Sequence, residues 1–147
     1  LENKIDVIGT DHAPHTLEEK QNKYNKVASG GPLVQHSLIA MLELYHRGKI
    51  SLEKIAEKMA HAVAECFQIE KRGFIREGYW ADLVLVDLNA PWIVDKSNIL
   101  YKCGWSPFTG TTFHSRVTHT FVNGHLVYEE GKFHESKKGK RLLFDRK

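Results

Sequence analysis

The residues best suited to chemistry stand close together near the start of the chain, in Thr10-Asp11-His12-Ala13-Pro14-His15. Asp11 brings a carboxylate able to accept a proton from a metal-bound water or to ligate the metal itself. His12 and His15 are three residues apart, but Pro14 lies between them, so helical spacing does not apply. Read alone, an aspartate followed by histidines in a loop is a weak signal that more often marks capping or surface hydrogen bonds. The chain carries nine histidines in all, which makes a metal or proton-transfer site worth seeking.

The elements that must position these residues can be read from the pattern. Ile5–Gly9 is β-branched, ends in a turn glycine and predicts a short buried strand, with the 10–16 segment as the loop leaving its carboxyl end. In α/β barrels, loops at that end of the strands converge on one pocket. Ser29-Gly30-Gly31-Pro32 permits close approach of backbone to a ligand. Leu38, Met41, Leu42 and Tyr45 share a helical face that Gly48 ends. Ser51 is an N-cap without the acid or amide that completes a capping box, since Lys54 stands there. Leu52–Ala60 and Ala62–Phe67 continue as helices. After Gly73 the pattern turns to strands. Leu83–Leu88 reads as a strand buried on both faces, followed by Trp92–Val94, Val117–Val122 and His125–Tyr128, with a hairpin at Asn123-Gly124. The fold class is therefore α/β. A lone strand followed by helices needs crossovers that are not seen upstream, so the chain is expected to be part of something larger.

Composition narrows the function classes. The 41% hydrophobic and 27% charged content over 147 residues describes a globular protein. No apolar run approaches the ~20 residues of a membrane span, so no membrane partner is expected. A net charge of +3 is too small to imply nucleic acid. Much of that excess sits in Lys137, Lys138, Lys140, Arg141, Arg146 and Lys147, read as a solvated tail. Cys66 and Cys103 have no paired spacing, which fits a reducing, cytoplasmic setting. His36, His46 and His61 are expected at helix surfaces or core edges, and Trp80, Trp92 and Trp105 as packing residues.

The segment Thr10–His15, followed by Glu18-Glu19-Lys20, resembles a motif of dihydroorotases, cyclic amidohydrolases of the amidohydrolase superfamily. Gly73-Phe74-Ile75, Gly78–Val84, Ser106–Gly110 and Thr120–Gly124 resemble later pieces of such enzymes, in the same order. The likeness covers only their last third. It implies the carboxyl-terminal piece of a (β/α)8 metal-dependent-hydrolase barrel over residues 1–72, and part of a small β-sandwich over residues 73–147. It further implies zinc, one or two ions in the parent, and reversible conversion of dihydroorotate to N-carbamoyl-aspartate in pyrimidine biosynthesis. By position in the motif, Asp11 resembles the metal-ligating, proton-shuttling aspartate, and His15 the histidine that holds the substrate carboxylate. Ser29 and Gly30 resemble the loop that contacts the ring.

Hydantoinases, dihydropyrimidinases and allantoinases share much of this pattern but usually lack the histidine at the place of His15. A different class also fits, a non-catalytic dihydroorotase-like scaffold that binds a carbamoyltransferase or oligomerises. The family's His-x-His pair is absent from this chain, and zinc wants three or four protein ligands. Isolated, the chain is expected to be inactive. The apolar edge of Ile5–Gly9 predicts a larger parent, a rearranged packing or a homo-oligomer.

Overall fold

The computed structural model describes residues 3–146, so Lys147 of the basic tail lies outside the described residues. A short helix α1 (Leu17–Lys20) is followed by a 3-10 turn at Val34–His36 that runs directly into α2 (Ser37–His46). Next comes one unbroken helical run, α3 (Leu52–Ala56), a π turn (Glu57–His61) and α4 (Ala62–Cys66). The strands are β1 (Leu83–Asp87), β2 (Trp92–Ile93), β3 (Thr112–Phe113), β4 (Arg116–Val122), β5 (His125–Glu129) and β6 (Lys132–Phe133). They form an antiparallel sheet in the order β1-β4-β5-β6 and a separate β2-β3 pair.

Each helix boundary has a local cause. Thr16 and Glu19 form a full capping box around α1, with the Thr16 side chain accepting from the Glu19 amide. Ser51 accepts from the Lys54 amide at 3.2 Å, the half box read from sequence. Gly48 closes α2 with φ +65. The π turn loosens the regular carbonyl pattern, and the Lys58 carbonyl there accepts the Ile8 amide at 3.0 Å.

Two strand expectations are corrected. Residues 5–9 form no strand among the described residues, and Ile5 is 64% exposed. A strand exists only through ladder partners, and none lies beside this segment, which holds to the helices through the Ile8 bond instead. β1 is not buried on both faces. It lies at the end of the sheet, with Val84 and Leu85 about half exposed. The Asn123-Gly124 hairpin forms as expected, with both residues at positive φ and Val122 paired to His125. A second turn of this kind, Glu130-Gly131, joins β5 to β6.

The core sits between helices and strands. Ile39, Leu42 and Ile55 pack with Val94 and Phe113, so it straddles the boundary expected near Gly73. His36 is fully buried beside it, with its ring near Trp92, Tyr101, Phe108 and Phe113. Of the two expected placements, helix surface or core edge, the surface one is corrected, because the 3-10 turn points His36 inward where α2 begins. The tail side chains Lys137, Lys138, Lys140, Arg141 and Arg146 are exposed, yet the backbone is tied down: Glu70 N–H donates to Leu143 O and Asp145 N–H to Gln68 O, both at 2.9 Å.

Phe113 is the largest of the fully buried side chains. Phe113→Ala is expected to lower the unfolding free energy by about 3–5 kcal/mol, measured by urea denaturation.

Candidate active site

Two irregular segments, residues 9–16 and 28–33, meet side by side. The Ala13 amide donates to the Gly31 carbonyl at 3.0 Å, within a short parallel bridge between His12 and Gly31. The His12 Nδ1 accepts from the amides of Leu33 at 3.0 Å and Val34 at 3.3 Å. That nitrogen therefore carries no proton, and His12 braces the loops. Gly30 stands at φ +84, and a Cβ there would fall 2.6 Å from the Ala13 Cβ, so only glycine fits this approach.

The third tie is Lys20. Its ammonium donates to the carbonyls of Ala28 at 2.6 Å and Gly30 at 2.8 Å, pinning the glycine loop beneath the end of α1. Sequence reading left Lys20 without a role beyond its place in the motif. The capping box that sets the start of α1 went unread, although Thr16-x-x-Glu19 carries its signature.

Asp11 sits at the exposed tip of the first segment with φ +44, a conformation few residues other than glycine adopt and one found often at functional sites. His15 is half-buried, and its Nδ1 lies 3.5 Å from Glu19 Oε2. The Thr16 amide and hydroxyl, more than the neighbouring His15, hold the Glu19 carboxyl below its ordinary range. Ser29 and Gly30 are exposed on the facing loop. Asp11, His15, Ser29 and Gly30 thus lie on two segments held together by backbone bonds.

The segment 98–106 buttresses this arrangement from the other side. The Gln35 amide donates to the Tyr101 hydroxyl at 2.9 Å, and its side chain bonds Asn98 O at 2.8 Å and the Leu100 amide at 2.9 Å. Trp105 Nε1 donates to His15 O at 2.8 Å. The His36 Nδ1 faces Ser106 Oγ at 3.2 Å, while its Nε2 is buried without a partner among the described residues. These long-range bonds leave no local pattern from which to predict them.

A second polar cluster, remote in sequence, joins α2 to the β3–β4 connection. Burial raises the Glu43 pKa, but the His114 amide at 2.6 Å and the His114 ring outweigh it and hold the carboxyl below its ordinary range. His46 Nε2 lies 2.7 Å from Ser115 Oγ. These pairs lock helix to sheet.

Residues 1–127 match the Amidohydrolase family. The chain belongs to the amidohydrolase family. A dihydroorotase of Pyrococcus furiosus is 34% identical over 140 residues, which are 95% of this chain and 33% of that protein. An allantoinase of Desulfitobacterium hafniense is 34% identical over 139 residues, 94% of this chain and 31% of that protein. The solved L-hydantoinase (dihydropyrimidinase) of Arthrobacter aurescens superposes with a TM-score of 0.79 at 34% identity, covering 90% of this chain and 31% of that one. A Thermus D-hydantoinase, at a TM-score of 0.83 and 22% identity over 90% of this chain and 30% of that one, shares the fold. The mixed helix-and-sheet architecture is thus that of amidohydrolases, and the chain spans about a third of the length of the relatives it matches. No helix among the described residues is long and apolar enough to cross a membrane.

Two outcomes test this geometry. Lys20→Met should speed amide hydrogen exchange across residues 28–31 while leaving α2 protected, because only the glycine loop loses its cation. Burial also pushes the His36 pKa below its ordinary 6.5. As pH falls from 6.5 toward that lower value, the unfolded chain takes up a proton that the folded chain refuses, so stability falls in that window. Urea midpoints measured across it should fall on acidification in the parent and flatten in His36→Gln.

Proposed function

We propose that this chain is the carboxyl-terminal third of a dihydroorotase-type cyclic amidohydrolase, with residues 1–72 closing a (β/α)8 barrel and residues 73–147 forming part of its β-sandwich. The observation that carries the reading is the joining of the Asp11–His15 segment to the Ala28–Gly31 segment by the Ala13–Gly31 bond and the Lys20 ammonium. Support also comes from dihydroorotases at 31% to 37% identity.

The reaction opens a cyclic amide by adding water across its C–N bond. A carbon–oxygen bond forms at the ring carbonyl, the ring nitrogen leaves, and a proton must travel from the water to that nitrogen. Asp11 is the proton carrier: an exposed carboxylate on a strained backbone, able to accept the proton and return it. His15 takes the substrate carboxylate through a ring N–H, and protonation would add charge to that bond. The exposed Ser29-Gly30 backbone contacts the substrate ring, with no side chain on Gly30 to obstruct it.

Relatives of this kind are generally metal-dependent, but the residues here do not make a complete zinc site. Zinc takes three or four protein ligands, and the described residues gather no set of three candidate donors. In this reading Asp11 supplies one carboxylate and the remaining ligands of a zinc site come from outside this chain. We assign the intact protein to the cytoplasm, acting on a small molecule as a homo-oligomer.

A second reading, another cyclic amidohydrolase, is favoured by the allantoinase and L-hydantoinase relatives, both 34% identical. The complete polypeptide should hydrolyse dihydroorotate in preference to allantoin or hydantoin. His15→Ala should raise the KM for dihydroorotate by about tenfold or more, the size of one lost charge-assisted hydrogen bond. Preference for a ring without a carboxylate, or an unchanged KM, would favour the second reading. The present chain purified alone should hold less than one zinc and show no turnover; stoichiometric metal with activity would contradict the incomplete site.

A further inference from the structure

We propose that Trp105 is a positioning residue that aims His15 at the substrate, an assignment that rests on the reading of His15 as the carboxylate-binding group. A side chain's direction is set at its Cα by the two peptide planes on either side. Both planes of His15 are held. The preceding one is fixed by its own amide, which donates to Ala13 O at 2.9 Å. The following plane is gripped from opposite edges: its carbonyl accepts the Trp105 indole N–H at 2.8 Å, and its amide, that of Thr16, donates to Glu19 Oε2 at 2.7 Å. Because the peptide unit is planar, two bonds to its opposite edges fix its rotation. With the backbone fixed, His15 keeps only its side-chain torsions, and Glu19 lies 3.5 Å from its Nδ1.

The indole is itself rigidly presented. Gly104, at φ +70, turns the chain immediately before it, and the Gly104 amide closes that turn on Tyr101 O at 2.9 Å. Immediately after it, Ser106 is buried and lies against the His36 ring. The far edge of the indole faces Gly31, where a side chain's Cβ would stand 3.8 Å from Cη2. Trp105 therefore hydrogen-bonds one segment of the candidate site and lies beside the other. An indole N–H can only donate, so its partner here must be an acceptor such as this carbonyl. Packing alone would need the ring; aiming His15 needs the N–H.

That distinction gives the test, a double-mutant cycle in the complete polypeptide with dihydroorotate as substrate. Trp105→Phe keeps a ring and removes the donor. It should raise KM about three- to tenfold, the equivalent of one net hydrogen bond, with kcat changed by less than about twofold. In a His15→Ala background the same change should have no further effect on KM, since there is no imidazole left to aim. An equal rise in both backgrounds would overturn the assignment, because Trp105 would then act independently of His15. Unchanged KM in Trp105→Phe, with His15→Ala defective, would overturn it while sparing the role of His15. Unchanged KM in His15→Ala alone would remove both. Should Trp105→Phe fail to fold, 5-fluorotryptophan incorporation reads the same contact: the Trp105 fluorine resonance should shift on adding dihydroorotate and stay still in His15→Ala. A resonance that does not move in the parent protein would overturn the proposal.

Discussion

Two stretches of chain without regular structure can share one chemical face only if something other than a helix or a ladder fixes their distance. In this protein the Lys20 ammonium is that constraint, spanning the carbonyls of Ala28 and Gly30, with the Ala13–Gly31 bond beside it. A lysine satisfies two carbonyls at once because it carries three donors, and its placement follows from the capping box that fixes where α1 begins. Gly30 then becomes obligatory, since the gap set by these bonds leaves no room for a Cβ against Ala13.

The rest of the molecule holds this pair of segments in place. The core joins α2 and α3 to β2 and β3 through Ile39, Leu42, Ile55, Val94 and Phe113. Above it, the 98–106 segment bonds to Gln35, His36 and His15 in turn. His36 is an instructive cost: a buried ring among aromatic side chains, with one nitrogen unpartnered among the described residues, retained where α2 meets the site-bearing loop. The Glu43–His114 and His46–Ser115 pairs fasten the other end of α2 to the strands.

Much of the fold was legible in local pattern. The Asn123-Gly124 hairpin, the Ser51 cap and the helical spacing after Leu33 all rest on interactions within a few residues. The failures share a cause. Ile5–Gly9 has a strand's composition but lacks neighbours, and β1 has a buried strand's composition but ends the sheet, because both depend on what lies beside them. His36 read as a surface or core-edge histidine, because its full burial is decided by Tyr101, Ser106 and Phe113, at least 65 residues away. At the site, the residue types and their closeness in sequence were readable for Asp11 and His15. The bonds that join them to Ser29 and Gly30 were not, since a lysine-to-carbonyl contact leaves no periodic trace.

The account stands or falls on the Asp11 carboxylate. The most direct measurement is the rate of dihydroorotate ring opening by the complete polypeptide before and after Asp11→Ala, with folding checked by thermal melting. The account predicts a loss of about 10²- to 10⁴-fold in kcat at an unchanged melting temperature. A folded variant that opens the ring at the parent rate would contradict it.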